Sequence, residues 1–220
     1  MVPSVSEVLT IHEIYKSVQG ESTFAGLPCI FVRLTFCDLR CSWCDTEYAF
    51  SGGEKMELSE ILDRVRQLDC PLVEVTGGEP LLQPGCAELL RRLCEQGHQV
   101  LLETGGHRDI GVVDPRVVRI MDLKCPDSGM SEKNRWENLA LLTAHDEVKC
   151  VLASRGDYEW ARAKVLEHGL TEKVRAVLFS PVFGKIEPRE IVEWILEDKL
   201  KVRFQLQLHK MIWDPRAKGV

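Results

Sequence analysis

Strand-like and helix-like patterns alternate along this chain, and that alternation restricts its fold more than any other feature. Seven compact apolar runs read as strands: 28–36 (PCIFVRLTF), 71–78 (PLVEVTGG), 98–106 (HQVLLETGG), 117–124 (VVRIMDLK), 146–153 (DEVKCVLA), 174–181 (VRAVLFSP) and 201–209 (KVRFQLQLH). Segment 58–68 sets Leu58, Ile61, Leu62, Val65 and Leu68 on one helical face. Segments 86–97 and 158–169 read as helices stopped by Gly97 and Gly169, because glycine accepts a left-handed conformation. Segments 138–146 and 187–198 read as two more helices. Strands separated by helices need the long crossovers of parallel pairing. The pattern predicts an α/β barrel or an incomplete one; a doubly wound open sheet fits it too.

The chemically unusual residues follow strands, not helices. Cys37 follows the first run, TGGEP (76–80) the second, and ETGG (103–106), DLKCP (122–126) and FSP (179–181) close later ones. Ligand sites of parallel α/β folds lie at strand carboxyl ends, so these motifs are expected on one rim. At 220 residues, one domain over 1–220 is the expectation. With 45% hydrophobic and 28% charged residues, the chain does not read as disordered. A net charge of −6 is a poor attractor of nucleic acid, so no direct nucleic-acid partner is expected. The amino-terminal stretch lacks a basic segment followed by an apolar block, and no apolar run is long enough to span a bilayer. A cytoplasmic protein without a membrane partner is expected, and nine cysteines then read as reduced thiols.

Six of those cysteines, Cys29, Cys70, Cys86, Cys94, Cys125 and Cys150, read as small core hydrophobes, Cys94 on a helix-like run and Cys150 on a strand-like one. Cys37, Cys41 and Cys44 differ, being spaced C-x3-C-x2-C. Structural zinc takes four protein ligands, and the nearest histidine, His12, is not at ligand spacing. A cubane iron–sulfur cluster can be held by three thiolates, leaving one iron open to a small molecule. A zinc knuckle completed by a distant cysteine is the alternative reading of the same residues.

This spacing, with the aromatic Trp43 before the last cysteine, resembles the radical S-adenosylmethionine (SAM) enzymes. The resemblance implies a 4Fe-4S cluster whose open iron is chelated by SAM, and reductive cleavage of SAM to an adenosyl radical. TGGEP matches that superfamily's glycine-rich segment at the methionine amino group, where Glu79 could accept a hydrogen bond; paired glycines let backbone approach a ligand closely. SVQGEST (17–23), CDT (44–46), DLKCPDSG (122–129) and QLQLHKMIW (205–213) narrow the resemblance to the 7-carboxy-7-deazaguanine synthase family, from about residue 12 to Pro215. That family implies an incomplete parallel (β/α) barrel of about six or seven strands, with the cluster loop after the first core strand. A short N-terminal substrate-binding extension precedes it. The implied reaction contracts the ring of 6-carboxy-5,6,7,8-tetrahydropterin to 7-carboxy-7-deazaguanine with loss of ammonia. Mg2+, a homodimer, and a low-potential electron donor such as flavodoxin or ferredoxin are implied as well. A glycyl-radical activase would share the triad and the glycine segment but not QGE, CDT and LQLHK; a zinc or iron–sulfur binding module is the non-enzymatic alternative.

Carried to the matching positions, the resemblance gives Cys37, Cys41 and Cys44 the cluster. It gives SAM the residues Trp43, Cys44, Asp45, Gly78, Asp122, Leu123, Lys124, Ser180, Pro181, Val182 and Phe183. Ser180 departs from the family pattern, which has glutamine before this proline. Thr46 matches the Mg2+ ligand; alone, it reads as a turn residue. Val18, Gln19, Gly20, Glu21, Arg33, Thr76, His209 and Pro215 match substrate positions. Arg33, a charge inside an apolar strand, must be paired, either by the substrate carboxylate or by an internal bridge to Glu21.

Overall fold

The computed structural model describes residues 7–220; residues 1–6 of the expected single domain lie outside them. The strands are β1 (Val8–Val18), β2 (Pro28–Leu34), β3 (Glu54–Glu57), β4 (Leu72–Gly77), β5 (Gln99–Thr104), β6 (Val118–Asp122), β7 (Glu147–Leu152), β8 (Ala176–Pro181) and β9 (Arg203–Phe204). The helices are α1 (Leu58–Leu68), α2 (Cys86–Glu95), α3 (Asn138–Leu141), α4 (Arg155–Glu167), α5 (Leu170–Lys173), α6 (Pro188–Glu197) and α7 (His209–Ile212). One sheet takes the order β3-β1-β2-β4-β5-β6-β7-β8-β9. From β2 through β9 every neighbouring pair is parallel, and these seven strands are the seven predicted runs. The sheet is open, with β3 and β9 at its edges, so the barrel is incomplete.

Differences from the sequence reading concern the margins. β1 and β3 join antiparallel, which the alternation of strands and helices did not reveal. β1 hides because only Leu9 and Ile11 alternate cleanly into the core; from His12 onward it is partly exposed on both faces. The run 201–209 gives the sheet only two residues, and 138–146 forms a single helical turn. Gly97 and Gly169 do follow α2 and α4 in the left-handed region, at φ +88° and +59°.

The two faces of the parallel strands do different work. Ile30, Val32, Leu34, Val73, Val75, Val100 and Leu102 pack against Ile61, Leu62 and Val65 of α1 and Leu89, Leu90 and Leu93 of α2. Val148, Cys150 and Phe179 do the same against Tyr158, Ala161 and Val165 of α4 and Ile191 of α6. Each such burial contributes about 1.5–3 kcal/mol. On the opposite face Phe31, Leu72, Leu101, Val118 and Ile120 close a smaller apolar cluster with Phe24 and Cys29. Strand side chains alternate, so the next positions on that face are Arg33, Glu74 and Thr76, Glu103 and Asp122. The inner face is therefore greasy at the amino ends of the strands and charged toward their carboxyl ends. Of the six cysteines read as core hydrophobes, five are buried and Cys94 packs half-buried against the core, as expected.

Candidate active site

A cavity of about 840 Å3 opens at the carboxyl ends of the parallel strands. Every predicted site residue lines it except Leu123 and Pro181, which are buried beneath. Leu123 donates its N–H to the Lys149 carbonyl at 2.8 Å, so its part is to hold the strand end.

The cluster loop leaves β2 through Phe36, whose φ of +80° is left-handed, a costly state for a bulky residue. Two hydrogen bonds hold it there: its N–H donates to Ala49 O at 2.8 Å, and its carbonyl accepts from Glu79 N at 2.8 Å. The glycine pair explains the second. A Cβ on Gly77 would lie 2.3 Å from Leu34 O, and one on Gly78 would lie 2.3 Å from Phe36 O and 2.7 Å from Cys37 Cβ. The close approach that these glycines permit is therefore to the cluster loop itself. Glu79, fully buried, completes the junction by accepting from Thr104 Oγ1 at 2.9 Å, Gly105 N at 2.8 Å and Leu81 N at 3.0 Å. Thr104 and Gly105 thus serve the site by fixing Glu79.

Cys37, Cys41 and Cys44 are free and half-buried on this loop. Ser42 ties the loop to the DLKCPDSG segment, its N–H donating to Ser128 O at 3.1 Å and its Oγ to Asp127 O at 2.7 Å. Burial raises all three thiol pKa values, and the Lys124 ammonium works against that rise at Cys37 and Cys41. Among the described residues, no three His, Cys, Asp or Glu side chains converge on a single metal ion. Three separated soft thiols on one loop suit a cluster, whose irons are ligated one by one, better than a mononuclear zinc site. Asp122 offers the fit for an adenosyl hydroxyl. Its Oδ2 accepts from Lys124 Nζ at 2.8 Å, while the buried Oδ1 has no hydrogen-bond partner among the described residues. Desolvation raises the Asp122 pKa, and the Lys124 and Lys149 charges with the Lys124 hydrogen bond together more than offset it, so this carboxylate is ionised and able to accept.

The substrate-side turn 18–23 is held by polar side chains of β4 and β7 and by Gln205 and Gln207, which follow β9. Glu21 accepts from Lys149 Nζ at 2.9 Å and from Gln207 Nε2 at 3.0 Å. Lys149 also donates to Glu103 at 2.8 Å. Gln19 donates its amide to Glu74 and accepts from Glu21 N at 3.0 Å, so its side chain shapes the turn. Thr23 is held by Glu147, and Ser22 N donates to Gln205 at 2.8 Å. Gly20 lets His209 pack on the turn: a Cβ there would lie 2.3 Å from the imidazole Nδ1. Desolvation lowers the His209 pKa, favouring a neutral ring. The same desolvation pushes Glu74 up to about 7 and Glu103 well above the usual carboxylate range. Burial raises Glu21 too, but the Lys149 charge and the hydrogen bonds from Gln207 and Lys149 together leave it below its usual range.

Arg33 does carry an internal bridge, but to Glu13 and not to Glu21. Its Nε meets Glu13 Oε1 at 2.7 Å and its Nη2 meets Tyr15 Oη at 3.2 Å. Glu13 stands directly opposite Arg33 in the β1–β2 register, a pairing that appears only once β1 is known to be a strand. At the other wall, Thr46 Oγ1 donates to Asp45 Oδ1 at 2.9 Å. Asp45 Oδ2 accepts from Lys210 Nζ at 2.6 Å. Enclosure by the cavity raises the Asp45 pKa, and Lys210 overcompensates, leaving the carboxyl below the usual range. Sequence reasoning passed over Glu74, Glu103, Lys149, Gln207 and Lys210. The first three carry the same signal that singled out Arg33, a charge inside an apolar strand.

A family model described as the Radical SAM superfamily matches residues 31–198. A 7-carboxy-7-deazaguanine synthase of Koribacter versatilis is 50% identical over 227 residues, covering 96% of this chain and 100% of its own. One of Chlorobaculum tepidum is 50% identical over 220 residues, covering 99% of this chain and 100% of its own. The crystal structure of QueE from Escherichia coli superposes with a TM-score of 0.77 at 22% identity, over 93% of this chain and 96% of its own. TYW1 with a lysine-pyruvate adduct bound superposes with a TM-score of 0.57 at 16% identity, over 79% of this chain and 74% of its own. At those identities the two structures speak for the fold, while the curated relatives fix the family. The chain belongs to the 7-carboxy-7-deazaguanine synthase family of the radical SAM superfamily.

Proposed function

We propose that this protein contracts the ring of 6-carboxy-5,6,7,8-tetrahydropterin to 7-carboxy-7-deazaguanine, releasing ammonia. The observation that carries the reading is one cavity joining three free thiols, the glycine pair at the cluster loop, and a buried charged turn. When bound, the cluster and SAM supply a hydrogen-abstracting radical. The chain's own residues hold and orient. Cys37, Cys41 and Cys44 bind the cluster. Trp43, Asp45, Gly78, Asp122, Lys124, Ser180, Val182 and Phe183 line the SAM side. Ser180 is buried there, so its hydroxyl replaces the longer amide usual at this position.

On the substrate side, the ionised Glu21 accepts from the donor edge of the pterin, a role that suits a carboxylate fixed by Lys149. Val18, Gly20, Thr76, His209 and Pro215 shape the same wall. Arg33 keeps guanidinium N–H groups beyond those given to Glu13 and Tyr15, and these meet the substrate carboxylate. Thr46 would hold a Mg2+ ion through its hydroxyl, and that ion would supply charge compensation to the substrate carboxylate. The β1 segment is the substrate-side extension of a single domain. A homodimer in the cytoplasm, reduced by a flavodoxin or ferredoxin, completes the proposal. No helix among the described residues is long and apolar enough to cross a membrane.

The test is an anaerobic assay of the reduced, iron-loaded protein with carboxytetrahydropterin, SAM and Mg2+. Formation of the carboxydeazaguanine with SAM not consumed supports the reading. Absence of that product from protein with a full cluster refutes it.

A further inference from the structure

We propose that Lys218 is a specificity-determining residue, carried over the cavity mouth by the segment 214–220 to supply a second cation to the substrate carboxylate beside Arg33. The inference rests on the ring-contraction reading above. It begins with Asp-Pro-Arg-Ala at 214–217. Aspartate followed by proline favours a tight turn. Asp214 Oδ1 accepts from Arg216 N at 2.8 Å, and Asp214 O accepts from Ala217 N at 2.8 Å. The turn sends the chain back across the opening, and residues 215–220 all line the cavity.

Beyond the turn, Lys218 Nζ sits 4.3 Å from the centroid of the Tyr48 ring. A Cβ on Gly219 would lie 3.8 Å from Glu13 Oε2. Tyr48 donates its hydroxyl to Glu13 Oε1 at 3.2 Å, and Arg33 Cζ lies 5.9 Å from the same ring. Lys218 and Arg33 therefore flank one aromatic side chain, and the face of that ring holds the otherwise mobile ammonium in place.

Charge balance gives this placement its meaning. Glu13 already neutralises Arg33. Of the other cations lining the cavity, Lys149 pairs with Glu21 and Glu103, Lys124 with Asp122 and Lys210 with Asp45, whereas Lys185 stands over the Trp43 ring, 5.5 Å from its centroid, and Arg216 lies in the same 214–220 segment as Lys218. A substrate carboxylate entering beside Arg33 thus meets a neutral pair. Lys218 makes no ion pair with a carboxylate among the described residues, and so it holds uncommitted positive charge at that wall. In a chain of net charge −6, such a local cation also favours entry of an anion over the surrounding surface.

Steady-state kinetics of the holoenzyme test this with the wild type, Lys218→Gln, Lys218→Arg and a chain ending at Pro215. An exposed ionic contact is worth up to about a fivefold change in affinity. Lys218→Gln is expected to raise KM about fivefold with kcat within about twofold, the mark of lost uniform binding. The truncated chain, which also loses Arg216 and brings a terminal carboxylate to Pro215, should raise KM at least as far, Lys218→Arg should restore wild-type KM, and the Lys218→Gln difference should shrink toward 1 M salt, where the Debye length is about 3 Å. A tetrahydropterin bearing a neutral hydroxymethyl group should inhibit wild type and Lys218→Gln equally. An unchanged KM in Lys218→Gln, or an equal loss for the neutral analogue, overturns the proposal. If the wild type forms no product, the ring-contraction reading fails instead. Equilibrium binding of carboxytetrahydropterin to wild type and Lys218→Gln then decides the role of Lys218 by itself.

Discussion

Lys149→Met removes the one cation that the structure places between two buried carboxylates. Lys149 is 7% exposed and donates to Glu21 at 2.9 Å and Glu103 at 2.8 Å. Methionine fills similar space, so the cost is electrostatic. Breaking a buried pair by removing one partner typically costs about 3–5 kcal/mol, because the remaining charge is left without compensation. In a domain of this size, each kcal/mol moves Tm by about 2–4 °C, so a loss of roughly 10 °C is expected. The deficit should also depend on pH. Without Lys149, the pKa of Glu21 rises with those of Glu74 and Glu103 instead of lying below its usual range. A carboxyl raised in the folded state is stabilising below its unfolded pKa, and that contribution is lost as pH rises through the folded value. The variant should therefore stand closest to wild type near pH 5 and furthest from it near pH 8. Thermal unfolding followed by circular dichroism at both pH values reads this directly. A deficit below about 1 kcal/mol, or one equal at both pH values, would falsify the view that Lys149 neutralises this cluster.

Other expectations follow from the same geometry. Cys41→Ala should lose the 4Fe-4S cluster, with iron and sulfide analysis after anaerobic reconstitution falling far below the wild-type four of each; a variant that kept a full cluster would remove Cys41 from the ligand set. Gly78→Ala places a methyl 2.3 Å from Phe36 O and 2.7 Å from Cys37 Cβ. Overpacking against backbone costs about 1–3 kcal/mol, so both Tm and iron per chain should fall, and a wild-type value for both would contradict the contact. In the wild type, Glu74 at about 7 and the raised Glu103 hold protons that the unfolded chain releases above its own carboxyl pKa. Stability should then decline between about pH 5 and 8, by up to roughly 3 kcal/mol from Glu74. Glu21, Asp45 and Asp122, held low, act only at more acid pH. Urea midpoints at constant ionic strength test the sign, and a rising curve would rule it out.

Much of the site was legible because its chemistry is local. The thiol spacing, the glycine pair and the turn at Gln19–Glu21 each lie within a few residues of sequence, and the parallel strands deliver them to one rim. Close contacts at three glycines are visible only in the fold. Gly77 and Gly78 admit the backbone of the cluster loop, and Gly20 admits His209. Arg33 stands out in sequence as a charge inside an apolar strand, but its internal bridge runs to Glu13 and not to the alternative Glu21, because Glu13 becomes its neighbour only through the antiparallel register of β1.

Short windows of sequence are enough for the parallel core and for the loop of three thiols, since hydrophobic periodicity and cysteine spacing are local properties. Tertiary structure alone decided who neutralises whom. Lys149 meets Glu103 across 46 positions and Glu21 across 128, and Lys210 reaches Asp45 across 165. Electrostatic partnership depends on distance in space and on exclusion of water, and neither is written in the order of residues. The same reason places Lys218 over Tyr48: the turn at Asp214 carries it to a ring much earlier in the chain, with which it shares no local pattern.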